Sequence, residues 1–232
     1  MSDEPIVRVD WEKHLVLRDG TEFPFHPHEY WTLAPSRSTW EAGDGRVGPL
    51  DFAFMLHNAR MGMGVMPPLQ VLAAHFEART LKSGNPAVAE RLIEARRLAM
   101  FPEKPSRLRS YFLNTHRDVA EKRADLWDWT DRTLVRCHLL TTTGSLHNGL
   151  VSRFEAVVGD PTSRDLADRY WQEEVRIVSA DNKHDVEVLA DCGLYFPDWE
   201  TFDGLDADGL MEAQRTYGTV WRSLGRSGGG FF

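Results

Sequence analysis

Residues 101–113, FPEKPSRLRSYFL, form a stiff, basic corner that any fold of this chain has to accommodate. Pro102 and Pro105 fix φ and remove two backbone donors, so the apolar pattern of Val88, Leu92, Ile93 and Ala99 must stop as a helix near Met100. Ser110, Tyr111, Phe112 and Leu113 then favour a strand. Helix, corner and strand in succession put Ser106, Arg107 and Arg109 at the end of a sheet, where guanidinium groups suit an anionic ligand.

The chain before this corner reads as strands and then helices. Apolar residues at 6–9, 14–17 and 21–25, with a turn at Asp19-Gly20, predict a small N-terminal β-hairpin or meander. EYWTLA at 29–34 predicts another strand, carrying Tyr30 and Trp31. Helices are expected at 49–61, 69–84 and 86–100. The segment 43–48, GDGRVG, formally matches the dinucleotide fingerprint GxGxxG. It lacks the buried strand before it and the acidic residue about twenty positions later, so it reads as a glycine-rich turn ahead of a helix.

After the corner, Thr115 with Asp118 three residues on predicts a capped helix running to about Trp129. The alternation in 133–141, TLVRCHLLT, predicts the clearest strand of the chain, followed by a turn at 143–148 and a strand at 151–158. Thr162 with Asp165 predicts a further helix, Glu187 opens a late strand, and 210–221 is partly helical. Residues 1–200 are expected to form one α+β domain, with 201–232 a C-terminal extension that is partly mobile.

Several classes of function are disfavoured. A net charge of −8 argues against generic binding to DNA. Cys137 and Cys192 stand alone without CxxC spacing, so neither a disulfide framework nor a zinc knuckle is indicated. No basic leader or membrane-length apolar run is present, which predicts a soluble, cytoplasmic protein without membrane partners. His26 and His28 point the same way if extended, yet no third ligand accompanies them at convincing spacing, and no metal is expected. There is no GxSxG elbow for a serine hydrolase.

A resemblance rests on a short series of residues between Glu94 and Tyr195. They are Glu94-Ala-Arg96-Arg97, Phe101-Pro102, Pro105-Ser106-Arg107, Tyr170-Trp171 at a helix end, Glu187-Val-Leu opening a strand, and Gly193. In order and spacing they resemble a bacterial family of domains of unknown function in the ADP-ribosyltransferase-like superfamily. The resemblance implies a split β-sheet with flanking helices, a pocket for NAD without a Rossmann motif, and Glu187 as the chemical centre. It implies a transferase moving ADP-ribose from NAD to an acceptor, which can be protein, nucleic acid or small molecule. Trp31 stands where enzymes of this kind present an Arg or His to the cofactor, and that difference points to the alternative, a non-catalytic ligand-binding or protein-interaction module on the same fold.

The chemistry fits residue types as follows. Cleaving the bond from ribose to nicotinamide builds positive charge on the sugar, which a carboxylate such as Glu187, hydrogen-bonded to the ribose 2-hydroxyl, stabilises. Arg107 and Arg109 suit bidentate contact with a pyrophosphate, Ser106 or Ser110 a ribose hydroxyl, and Tyr30 or Trp31 stacking on nicotinamide. Each has a plainer reading: a strand-edge carboxylate for Glu187, surface ion pairs with Glu94 or Glu103 for the arginines, turn formation for the serines, and core packing for the aromatics.

Overall fold

Local sequence builds the helices of the computed structural model, and long-range pairing builds its sheet. The structure describes residues 7–10, 14–17, 20, 22–26, 28–35, 64–66, 84–126, 132–176 and 178–202. The helices expected at 49–61, 69–84 and 210–221, and the segment 43–48, lie outside the described residues.

The N-terminal meander is present as β1 (Val7–Asp10), β2 (His14–Leu17) and β3 (Glu22–Pro24), an antiparallel three-stranded sheet. Gly20 takes a φ of 85° in the connection, a conformation glycine adopts without steric cost. The second sheet contains β4 (Tyr30–Pro35), β5 (Val65–Met66), β6 (Tyr111–Leu113), β7 (Arg132–Leu150) and β8 (Val186–Tyr195). Its order is β4-β7-β8-β5, with β6 also paired to β8, and every pairing is antiparallel. The fold is therefore α+β, as the sequence predicts.

This sheet curls on itself. Past the end of β6, Asn114 exchanges both backbone hydrogen bonds with Trp31 of β4, at 2.9 and 2.8 Å. Inside the curl lies an apolar cluster that includes Tyr30, Tyr111, Leu139, Val188, Ala190 and Cys192. Residues of β8 alternate between the two faces, so Glu187, Leu189 and Asp191 point away from this cluster. Leu189 joins Ala89, Ile93, Val157, Ala167, Tyr170 and Trp171 in a second cluster under the helices.

The described α-helices are α1 (Asn85–Met100), α2 (Arg117–Leu126), α3 (Val151–Gly159) and α4 (Arg164–Gln172); α1, α3 and α4 cover the second cluster, and α2 lies against β4 and β7. Helix α1 starts with Pro86 in its first turn, where the missing N–H costs nothing, and stops before Pro102 as expected. Helix α4 is capped by Ser163, which accepts from the Leu166 N–H, rather than by Thr162. The side chain of Thr162 turns back to Asp160 instead.

Two further expectations are corrected. Residues 143–148 are strand rather than turn, because β7 continues to Leu150 with an irregularity between Leu140 and Ser145 that absorbs Gly144. Residues 151–158 are helix rather than strand. Val151, Phe154, Val157 and Val158 recur at helical spacing, and the start of α3 is capped from far away by Asp185. Its carboxylate accepts from the Ser152 N–H at 2.7 Å and the Ser152 hydroxyl at 2.6 Å. Among the described residues, no helix is long and apolar enough to cross a membrane.

A buried arginine–carboxylate cluster as the candidate functional site

The basic corner delivers Arg107 not to the surface but to the interior, with 5% of its area exposed. Its Nε donates to Glu90 Oε2 at 2.9 Å and its Nη2 to Glu90 Oε1 at 3.1 Å, a bidentate pair with α1. Its Nη1 donates to Tyr170 Oη at 2.6 Å and to Glu187 Oε1. The rings of Phe112, Phe154 and Tyr170 surround the guanidinium, at 5.0, 4.2 and 5.1 Å from ring centre to Cζ.

Glu187 lies at the start of β8 and is 7% exposed. Tyr170 donates its O–H to the same Oε1 at 2.8 Å, so both hydrogen bonds end on one oxygen of the carboxylate and Oε2 takes part in neither. Gly149, paired with Glu187 across β7 and β8, makes room for this arrangement. A Cβ there would stand 2.9 Å from the Tyr170 hydroxyl oxygen.

Burial by itself lowers the proton affinity of the Arg107 guanidinium, but Glu187, Tyr170 and Glu90 outweigh it and hold it well above its ordinary value. Burial likewise pushes the Tyr170 phenol well above its ordinary value, with Glu187 adding to the effect and Arg107 opposing it. A second cation completes the electrostatics. Arg123 of α2 bonds Asn114 Oδ1 at 2.6 Å and the Val186 carbonyl at 3.0 Å. Burial lowers its proton affinity, while Glu187 and Asp185 pull the other way.

The layer under this cluster is fixed by His147 on β7. It is fully buried, with Nε2 3.3 Å from the Tyr170 carbonyl oxygen and its ring packed against Trp171 at 5.0 Å. Burial and the Lys104 ammonium push this imidazole down to about 4, so it is neutral around pH 7. Trp171 donates Nε1–H to the Ile93 carbonyl at 3.0 Å and so ties α4 to α1.

The structure brings Arg107 and Glu187 together and keeps Tyr30 and Trp31 elsewhere. Tyr30 belongs to the cluster inside the curl, its O–H 3.4 Å from His26 Nδ1, and Trp31 lies under the Arg117 guanidinium at 5.5 Å. Ser106 is buried and accepts from the Leu108 N–H at 3.2 Å, the geometry of a turn former. Ser110 is buried, and its hydroxyl has no hydrogen-bond partner among the described residues. Arg109 lies within electrostatic reach of Asp191, whose carboxyl burial raises against the pull of Arg97 and Arg109. Arg97, rather than Arg107, pairs with Glu94, at 2.8 Å. Among the described residues, no group of three or more His, Cys, Asp or Glu is arranged to hold a metal ion.

Sequence reasoning assigned no role to Glu90, Phe112, Gly149, Phe154 or Tyr170. Tyr170 carried a signal, since Tyr170-Trp171 at a helix end belongs to the series on which the resemblance rests. Glu90 carried none, because it stands 17 residues from Arg107 on an ordinary charged helix face.

A family model described as Protein of unknown function (DUF2441) matches residues 69–191, which span the corner, Tyr170 and Glu187. No curated protein matches the chain.

Proposed function

The chain belongs to the DUF2441 family, whose function is unknown, and from that premise we propose that it is an NAD-binding, ADP-ribosyltransferase-like enzyme centred on Glu187. The observation that carries this reading is the convergence of Arg107 and Tyr170 on one carboxylate oxygen of Glu187, which fixes the side chain while the second oxygen takes part in neither bond. A carboxylate held in that way is pre-organised to accept from a ribose 2-hydroxyl as positive charge grows at the anomeric carbon. The bond from that carbon to the nicotinamide nitrogen breaks, nicotinamide leaves with the electron pair, and the acceptor adds to the sugar with loss of a proton. Arg107 is a positioning residue in this scheme, because its Nε, Nη1 and Nη2 donors already serve Glu90, Tyr170 and Glu187. Pyrophosphate contact then falls to Arg109, which the same corner carries.

A second reading, a non-catalytic ligand-binding or interaction module on this fold, is favoured by the 7% exposure of Glu187. The two separate in one assay. Nicotinamide release from NAD is measured for the wild type and Glu187→Gln, with cell lysate as a source of acceptors, beside a thermal-shift titration with NAD. Release that collapses in the variant supports the enzyme. A thermal shift without release supports the module. Neither release nor a shift at millimolar NAD refutes the NAD reading.

A further inference from the structure

Four histidines gather where the chain enters β4. His26 and His28 lie in the entering segment, His116 precedes α2, and His138 is on β7. The ring of His28 stands 6.4 Å from that of His26, 6.0 Å from that of His116 and 4.9 Å from that of Tyr30, between centroids. His138 is 8% exposed and meets the Phe25 ring edge-on at 5.1 Å.

Hydrogen bonds fix the protonation of two of these rings. The His26 Nδ1 accepts from the His28 backbone N–H at 3.3 Å, so this nitrogen is unprotonated there, and the Tyr30 hydroxyl stands 3.4 Å from it. The His28 Nε2 stands 2.6 Å from the Thr115 carbonyl oxygen, so it has to carry its proton. The same segment is pinned to β7 by the His26 N–H on the Leu139 carbonyl at 2.7 Å and by the bridge between Phe25 and Leu140.

We propose that this cluster is an acid-released latch: with His26 neutral it holds the segment entering β4 against β7 and the start of α2, and protonation of His26 frees that segment. A proton on Nδ1 turns the acceptor into a donor facing the His28 N–H, and it places a positive charge near the His28 and His138 imidazoles. Glu29 favours a charge on His138 and Asp118 one on His116, but among the described residues no carboxylate does so for His26. Glu29 is held by Arg136 at 2.9 Å, Asp198 by the same Arg136, and Asp118 by Lys183 at 2.5 Å. Lys183 and His184 add positive potential on the His116 side.

The direction of the pH effect follows from linkage. Burial, with the neighbouring imidazoles, lowers the His26 imidazole below its ordinary 6.5, and burial first of all lowers His116 and His138 as well. The unfolded or released segment therefore binds protons more readily. The latch is fully closed above about pH 6.5 and weakens as pH falls from there, by about tenfold per pH unit for each histidine that must stay neutral.

The test is amide hydrogen exchange on the full chain at pH 7 and pH 5, as protection factors corrected for intrinsic rates, with β8 as the internal reference. Wild-type residues 28–35 are expected to lose at least tenfold in protection while β8 keeps its own. His26→Asn puts a non-titrating amide oxygen near the Nδ1 position and is expected to lose less than the wild type. Equal losses in the two proteins, or no loss in the wild type, overturn the proposal. Nitrogen-detected NMR of the wild-type imidazoles adds a check that needs no variant. An unprotonated Nδ1 on His26 at pH 7.5 that takes a proton below pH 6.5 supports the latch, and a protonated Nδ1 at pH 7.5 overturns it.

Discussion

Replacing Arg107 by Met tests the energetic logic of the buried cluster most directly. The substitution keeps a long, flexible side chain among Phe112, Phe154 and Tyr170 and removes the only charge among the described residues that is bonded to Glu187 Oε1. Glu187, 7% exposed, then keeps the Tyr170 O–H as its bond on that oxygen, while Glu90, with 20% of its side chain exposed, can turn to water. Breaking a buried pair from one side costs about 3–5 kcal/mol, because the remaining charge stays uncompensated. Contacts between the Met sulfur and the three rings return about 0.3–1.5 kcal/mol. A net loss of about 2–4 kcal/mol is expected, which for a chain of this size lowers Tm by roughly 4–16 °C. Urea denaturation of the wild type, Arg107→Met, Glu187→Gln and the double variant closes the cycle. The double variant is expected to be less destabilised than the two single losses added together, because Gln removes the stranded charge. Additivity within about 0.5 kcal/mol, or a single-variant loss below about 1 kcal/mol, would refute the claim that Arg107 and Glu187 are one energetic unit.

Gly149→Ala should destabilise by about 1–3 kcal/mol, since the new methyl pushes on the Tyr170 hydroxyl at 2.9 Å, and the urea midpoint reads the loss. Under the proposed NAD chemistry, the same variant should impair nicotinamide release more than Gly159→Ala, where an added Cβ meets nothing within 4 Å. Arg117→Ala removes an i,i+4 pair with Glu121 whose side chains are 66% and 52% exposed, and should leave the urea midpoint unchanged within error. A large shift there would mean that the stacking of Arg117 on Trp31 matters more than its ion pair.

The elements legible in the sequence are those whose signals are local. Pro86 and Pro102 bracket α1, the alternation around Cys137 marks the first half of β7, and Gly20 lies in the connection between β2 and β3. The two misread elements had signals that lie elsewhere in the chain. The cap of α3 comes from Asp185, 33 residues past Ser152, and the second half of β7 is strand because β8 pairs with it from Ser145 to Leu150. The same distance separates the site residues. The sequence singled out Arg107 and Glu187 without showing that they bond each other across 80 positions, or that Tyr170, 63 positions after Arg107, joins them. It also grouped Tyr30 with them, although the curl of the sheet turns Tyr30 to the opposite face. Sequence determines which segments are helix or strand wherever the hydrogen bonds close within a few residues. Which charges meet, and on which face of the sheet, was decided only when distant strands paired, because a strand has two faces and only its register with its partners settles which one is buried.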